Sequence, residues 1–512
     1  MVRASMVPVF LVCFSLVAQT PQPVEGKRIS LRDAIQTALQ NNLQVTIAQQ
    51  SREATRAGVM INEGIFDWNL AASAQVNHLN TAYPQAQIYT VGPVAKATKV
   101  ADNRYLTADL NKLFAWGGVV DFNYAPTYNY GTTKVVGLLD ANGNPLGPQS
   151  TPTSYPYTGT LSAKYSQPLL RNFGYDVTTA PLVVARKSAE AADYTFQLAI
   201  INLVAATEGQ YWDLVYAERN LINKRTALEL AQKQLKENSI RVQVGTMAPI
   251  DVVSAEAQVA QAEQDIITGE AGVLNAKDAL IRSLYPNAER PASLEPLDAP
   301  TLGHIQLDET AAVKMALGRR VELKTTGLSR EIAQVQEKAA VNRVLPQLDA
   351  FVQYNGASNS YGAIGPVNGD LTAFRNPGYT VGVAFSVPLQ NRAARGSLST
   401  ARANLRTAEL NLRDLELSIT LQVRTAIRNV EAAEKGVTAA GKTRYFQERN
   451  LDAEQKKFEN GMSTNFVVLQ VMTNLDNAKS AELQAQIAYA KSVTALEVAV
   501  GNLMEARNFS VK

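Results

Sequence analysis

The sequence predicts an internally duplicated α+β membrane protein, in which long coiled-coil helical hairpins alternate with strands that contribute to a β-barrel shared between chains. Three observations carry that prediction. Apolar residues recur every seven positions over stretches longer than a globular helix needs, other segments alternate polar with apolar at a period of two, and the order of helix, strands and hairpin occurs twice.

The N-terminus, MVRASMVPVFLVCFSLVAQT, carries one positive charge at Arg3, an apolar run from Met6 to Val17 and a small residue at Ala18. This is the pattern of a cleaved signal peptide over residues 1–18, and the run is too short to span a bilayer. Cys13 lies inside it and is the only cysteine, so the mature chain is expected to hold no disulfide, zinc–thiolate site or cysteine nucleophile. No later stretch approaches about 18 consecutive apolar residues, so a mature chain that crosses a membrane does so by strands.

The first repeat spans 19–284. Ser30 is a candidate N-cap for a helix over 30–62, with Ile35, Leu39, Leu43 and Ile47 at helical spacing and Gly64 as its stop. Barrel strands and loops are expected over 66–167. Phe66 to Asn77 alternates with period two; Tyr105 to Phe114 and Val119 to Tyr130 read as strands around the Trp116-Gly117-Gly118 turn; Gly131 to Pro156 reads as a long loop; and Tyr157, Gly159, Leu161, Ala163 and Tyr165 alternate with polar residues up to Pro168. Whether Tyr105 to Tyr130 adds a membrane hairpin or lies outside the barrel is open at this level.

A helical hairpin over 174–284 follows. Leu214, Leu221, Leu228, Leu235 and Val242 are seven apart with Ala217 and Ala231 between them, the seam of a coiled coil. On the return arm Val253, Ala260, Ile267, Leu274 and Ile281 form one heptad row, and Val252, Val259, Ile266, Val273 and Leu280 form another. The tip lies at 244–249, where Gly245 supplies a positive φ, Pro249 suits a first helical turn and Asp251 favours a helix N-terminus. At ~1.5 Å per residue the outgoing arm is roughly 100 Å long.

Residues 285–304, YPNAERPASLEPLDAPTLGH, carry prolines at 286, 291, 296 and 300 and are expected to form an equatorial linker laid along the surface. The second repeat, 305–504, then restates the first: a helix over 307–342, barrel strands over 347–388 and a long hairpin over 390–504 with its tip at 460–465. Leu398, Leu405, Leu412 and Ile419 keep the heptad, Pro388 stands where Pro168 does, and Gly461 aligns with Gly245. Residues 505–512 are a tail. The first repeat is about sixty residues longer, nearly all between its strands, where loops tolerate insertion.

Chemistry is hard to find. His78 and His304 are the only histidines and have no spaced partners, and no phosphate loop, HExxH or GxSxG occurs. The expectation is no enzyme, no catalytic residue, no metal and no cofactor. A net charge of +3 with 19% charged residues gives no reason to expect nucleic acid. A closed membrane barrel needs at least about eight strands, and four to six cannot close alone, so the chain either shares a barrel with identical copies or is soluble with its strands packed elsewhere; the signal peptide, the two-faced strands and the coiled coils without a stop-transfer segment favour the shared barrel.

QPLLRNFG (Gln167 to Gly174), its weaker partner FSVPLQNRAARG (Phe385 to Gly396), and the tips VGTMAPIDV and NGMSTNFVV, in this order behind a signal peptide, resemble the TolC-like outer-membrane efflux protein family. The resemblance covers essentially all of the mature chain. It implies an exit duct of a tripartite efflux pump or type I secretion system: a homotrimer, four strands per protomer in an outer-membrane barrel against lipid, and a helical tunnel through the periplasm. The tips would meet a periplasmic adaptor (membrane fusion) protein and an inner-membrane pump of RND, ABC or MFS type. Val244, Gly245, Thr246, Met247, Asn460, Gly461, Met462 and Ser463 are the adaptor contacts so implied. Asp251 matches an aspartate that helps hold the family archetype closed, though it equally suits its own helix N-terminus. The archetype's aperture aspartates fall at Val467 and Gln470, its gate arginine at Ser463 and its gate tyrosine at Phe458. A gate here is therefore expected to rest on apolar packing of Phe458, Phe466 and Val467. A periplasmic structural coiled-coil protein bridging envelope layers is the alternative; a self-sufficient porin conflicts with helices this long.

Overall fold

A computed structural model describes residues 27–82, 96–136, 149–152, 156–286, 293–303 and 308–509, so the expected signal peptide and His304 lie outside the described residues. The chain forms two compact units, one of Met1–Gln49, Thr195–Val321 and Glu416–Lys512, the other of Gln50–Tyr194 and Glu322–Leu415.

The elements follow from local signals. After β1 (Lys27–Ile29), α1 (Leu31–Asn41) opens on Ser30, whose hydroxyl accepts the Asp33 amide at 3.1 Å. The single helix expected here is two. Asn42 has extended backbone and its side chain accepts the Gln44 amide at 2.8 Å, which starts α2 (Leu43–Glu63) afresh. The strands β2 (Asn69–Ala82), β3 (Lys96–Leu113), β4 (Val119–Val136), β5 (Gln149–Pro152) and β6 (Tyr157–Pro168) come next. The long arms are α3 (Ala180–Gln243) and α4 (Pro249–Leu284), followed by β7 (Leu294–Pro296). The second repeat supplies α5 (Glu309–Arg319), α6 (Val321–Arg343), β8 (Gln347–Ser360), α7 (Ile364–Thr372), β9 (Pro377–Ser386), α8 (Arg392–Glu459) and α9 (Asn465–Val500).

Several sequence boundaries are corrected. The strand expected from Phe66 starts at Asn69, after a short 3-10 turn at Gly64–Phe66. The strands expected at 105–114 and 119–130 are 18 residues each. Part of the expected 131–156 loop is the end of β4 together with β5, which pair with each other. The stretch expected as barrel strands over 347–388 also contains the helix α7 between β8 and β9. The Pro-rich linker is not merely surface chain, since β7 pairs in parallel with β1 and Leu294 is fully buried.

The sheet decides what the second unit is. Its strands run antiparallel in the order β2-β3-β4-β6-β8-β9, with β5 on β4. The β3–β4 hairpin is therefore within the sheet, between the two first-repeat strands that correspond to β8 and β9, and the expected four strands become six on the main path. The register separates two faces. On one stand Leu70, Ala72, Leu110, Phe122, Tyr124, Leu161, Val352, Tyr354, Val381 and Val383; on the other Ser73, Thr107, Asp109, Asn123, Ser162, Lys164, Gln353 and Thr380. On the polar face Gly382 leaves room for the Phe351 ring, since a Cβ there would lie 2.7 Å from it and the ring would have to shift. On the apolar face α7 seats Val367 and Leu371 over Gly159, where a Cβ would meet them at 2.7 and 2.9 Å. Tyr124 Oη donates to Asn368 at 2.7 Å and Ser358 Oγ to Asp370 at 3.0 Å, fixing that seat. Below α7 the apolar face is bare, with Val381 79% and Tyr379 74% exposed.

In the other unit a core of Leu203, Tyr211, Trp212, Leu214, Val215, Leu280, Leu284 and Leu294 packs against α1. Tyr211 is fully buried, and its hydroxyl lies 3.2 Å from Ile29 O and 3.0 Å from Asp298 Oδ2 while accepting the Leu297 and Asp298 amides. Burial pushes that phenol up to about 12. The two heptad rows of α4 part company away from its C-terminal end, where Leu280 and Ile281 are both buried. Val273 is buried, whereas Val253, Ile267 and Leu274 are 56%, 68% and 64% exposed, an apolar seam with no cover among the described residues.

Candidate functional site

The tips of the two hairpins lie in one unit, and the same chemistry ends both arms. The Gly245 amide donates to Val242 O at 3.0 Å and the Thr246 amide to Arg241 O at 2.9 Å; the Gly461 amide donates to Phe458 O at 3.1 Å and the Met462 amide to Lys457 O at 2.8 Å. These are two Schellman closures, with φ of +78° at Gly245 and +73° at Gly461, a conformation in which a side chain is strained. Pro249 and Thr464 then start α4 and α9, so each turn is short.

Beneath the turns the two hairpins are fastened by buried amides. Asn238, fully buried, donates to Asn465 Oδ1 at 2.7 Å; Gln234 donates to Asn238 Oδ1 at 2.9 Å; Asn465 Nδ2 donates to Asp251 O at 3.1 Å. Asp251 thus enters this network through its backbone carbonyl. Arg241 lies 4.5 Å over the Phe458 ring and donates to Phe458 O at 3.4 Å. Glu454, itself buried, accepts from the Ser463 hydroxyl and from Lys457 at 2.9 Å, and these hydrogen bonds and the lysine charge hold its carboxyl below the usual carboxylate range. Further along the arms Lys224 bridges Asp476 at 2.6 Å and Asp265 at 3.1 Å beside a cavity of about 290 Å³. Burial opposes its charge, but the two carboxylates hold the ammonium above its ordinary value.

The residues singled out for a gate divide between core and surface. Phe458 is buried with Val468, Leu469, Val471, Met472 and Leu475, whereas Phe466, Val467 and Gln470 are exposed on α9. Phe458 is therefore a core residue packed between the two hairpins, whereas Phe466 and Val467 stand exposed. Among the expected docking residues, Val244 and Met462 are 67% and 71% exposed, Met247 packs against the tip core, and Ser463 is engaged with Glu454. The buried polar residues were missed by reasoning from sequence, though a signal existed. Ala217, Lys224, Ala231 and Asn238 form a heptad row of their own, in which a lysine and an asparagine stand at core positions.

No helix among the described residues is long and apolar enough to cross a membrane. The family model for the outer membrane efflux protein matches residues 140–284 and 312–502. The outer membrane protein TolC of Escherichia coli K12 is 26% identical over 338 residues, covering 63% of this chain and 66% of its own length. TolC of Salmonella enteritidis is 26% identical over 383 residues, covering 72% of each chain. Among solved structures, the outer-membrane channel OprN superposes with a TM-score of 0.67 at 13% identity, over 92% of this chain and 90% of OprN. The CmeC outer membrane channel of Campylobacter jejuni gives 0.64 at 15% identity, over 92% of this chain and 86% of CmeC, so the likeness to solved structures is one of fold.

Proposed function

The chain belongs to the outer membrane efflux protein family, and from that premise we propose that it is an outer-membrane channel, the passive exit duct of a tripartite efflux pump or type I secretion system. The observation that carries this reading is the sheet: one face bare and apolar, the other polar, and both edge strands unpaired among the described residues. Such a sheet is unstable alone, because lipid cannot satisfy open backbone edges and water does not favour the apolar face. A barrel shared by three copies satisfies both demands. The uncovered seam of Val253, Ile267 and Leu274 on α4 supports the same assembly, as a coiled-coil surface for a neighbouring copy.

The tips are the proposed periplasmic entrance, opened by an adaptor protein and an inner-membrane transporter. Val244 and Met462, raised on the two Schellman turns with Gly245, Thr246, Asn460 and Gly461, offer the surface for the adaptor. Asp251, Phe466, Val467 and Gln470 are the proposed aperture, and Phe458 supports it from within. Purified protein in planar bilayers is expected to give trimer-sized channels that are mostly closed. A monodisperse monomer that stays soluble without detergent overturns the proposal. Phe466→Asp or Val467→Asp is expected to raise conductance; unchanged conductance in both overturns the apolar aperture while leaving the duct in place.

A further inference from the structure

We infer that the membrane wall takes six strands from each copy of this chain, eighteen in an assembly of three, in place of the four per copy that the duplicated layout supplies by itself. The copy number rests on the trimer proposed above; the six-strand share rests on the sheet.

The β3–β4 hairpin is structurally inseparable from the wall. Every residue of β2 from Asn69 to Ala82 has its partner on β3, and β4 pairs with β6 from Val119↔Ser166 to Tyr128↔Tyr157. Taking the hairpin out of the wall would strand β2 and break both ladders. Polarity gives an independent argument. Leu106, Ala108 and Leu110 on β3 and Phe122 and Tyr124 on β4 continue the apolar face of β6, β8 and β9 at matching heights. On the polar face Ser73 and Thr107 share a hydrogen bond of 2.7 Å, and Asn123 donates to Asp109 at 2.5 Å, which joins β2, β3 and β4 by their polar side chains. A hairpin lying outside the barrel would have no reason to keep one lipid-compatible face and one wet face in step with its neighbours.

The ladder of β3 on β4 lapses only around Pro126, which has no N–H to give and stands opposite Gly159. That is the height at which α7 sits on the apolar face over Gly159. On β8 the apolar face below it runs from Leu348 to Gly356, in keeping with the roughly 9–11 residues of a tilted membrane strand. The closure needs no further device. With an even number of antiparallel strands, β2 and β9 run in opposite directions, so β2 of one copy meets β9 of the next antiparallel. The occupant of each free edge is a second copy of this chain, because only another strand supplies a row of partners inside lipid. Barrel diameter grows roughly linearly with strand number, so the wall would be about one and a half times as wide as one of four strands per copy.

Electron cryomicroscopy of the full chain in nanodiscs counts copies and wall strands separately. Three copies with eighteen wall strands is the expected result. Three copies with twelve, and β3–β4 outside the wall, overturns the inference. A different copy number with six wall strands per copy supports it and overturns the trimer alone. Cysteine pairs in intact membranes give a second reading, since the single natural cysteine falls in the expected signal peptide. Asn123→Cys with Ser162→Cys, Cα partners across β4 and β6, is expected to cross-link within a chain. Ser73→Cys with Ser162→Cys is expected to stay reduced; a disulfide there would place β2 beside β6 and overturn the inference.

Discussion

The sheet and the hairpin tips are built with opposite polarity. The sheet carries its apolar residues on one face, bare at Val381 and Tyr379, and keeps Asp109, Asn123 and Lys164 on the other. The tips bury amides, with Asn238 fully enclosed and Asn465 nearly so, while Val244, Met462 and Phe466 stand exposed above them. The difference teaches what each region is stabilised by. In the sheet the surrounding medium has to match the side chains; in the tip the chain itself supplies a directional network that fixes how two hairpins meet. A polar group enclosed at a coiled-coil core position contributes more to register than to stability.

The comparison breaks or sharpens under substitution. Its largest test is at Phe458, the apolar centre of the tip. Phe458→Ala is expected to destabilise the tip by about 3–5 kcal/mol, read as faster hydrogen exchange around Glu454 to Leu475, whereas exposed Phe466→Ala is expected to leave exchange unchanged. Next comes the sheet. Val381→Lys, on the bare face, is expected to cost about 2–4 kcal/mol in folding into lipid vesicles, and Thr380→Lys on the opposite face close to nothing. Equal costs would mean that the two faces meet the same medium. Asn465→Ala takes from the Asn238 amide its shorter acceptor, leaving only Asp251 O at 3.4 Å, and is expected to cost about 1–3 kcal/mol, visible as a loss of protection at the tip while the sheet's protection stays as it was.

The smallest effect is a pH dependence. Because Ser463 and Lys457 hold the Glu454 carboxyl below its ordinary range, the unfolded tip binds the proton more readily than the folded one. The stabilisation is therefore full above the ordinary carboxylate pKa and is lost as pH falls through the lowered value. Hydrogen exchange at the tip is expected to accelerate on acidification, and Ser463→Ala to move that transition to higher pH. An unmoved transition would remove Glu454 from the account.

Much of this was legible in the sequence because it rests on period and punctuation. The seam from Leu214 to Val242, the turns at Gly245 and Gly461 and the alternation of Tyr157 to Tyr165 each follow from one local rule, and each stands in the structure. The legible part stops where partners are distant. Asn42 starts α2 by accepting the Gln44 amide, but its own side-chain amide is held by Ser283 O, more than two hundred residues away, and no local rule names that partner. The heptad told that α4 has two apolar rows but not which would be covered. Phe458 and Phe466 look alike in the sequence, and only the packing of α8 on α9 sends one inward. The length of β3 was underestimated for a physical reason too: beyond Tyr105 its apolar alternation gives way to Arg104 and Asp102, and the strand persists because β2 and β4 hold it on both sides.

The small helix α7 has a consequence for where the molecule can live. Val367 and Leu371 cover the upper apolar face, and just beside them Asp370 is paired with Arg375 at 3.3 Å. Sinking the sheet deeper would drown that ion pair in hydrocarbon, and raising it would bare Tyr379 and Val381 to water. The helix acts as a waterline. It sets a draught for the barrel, fixing at that end which side chains meet lipid and which meet water.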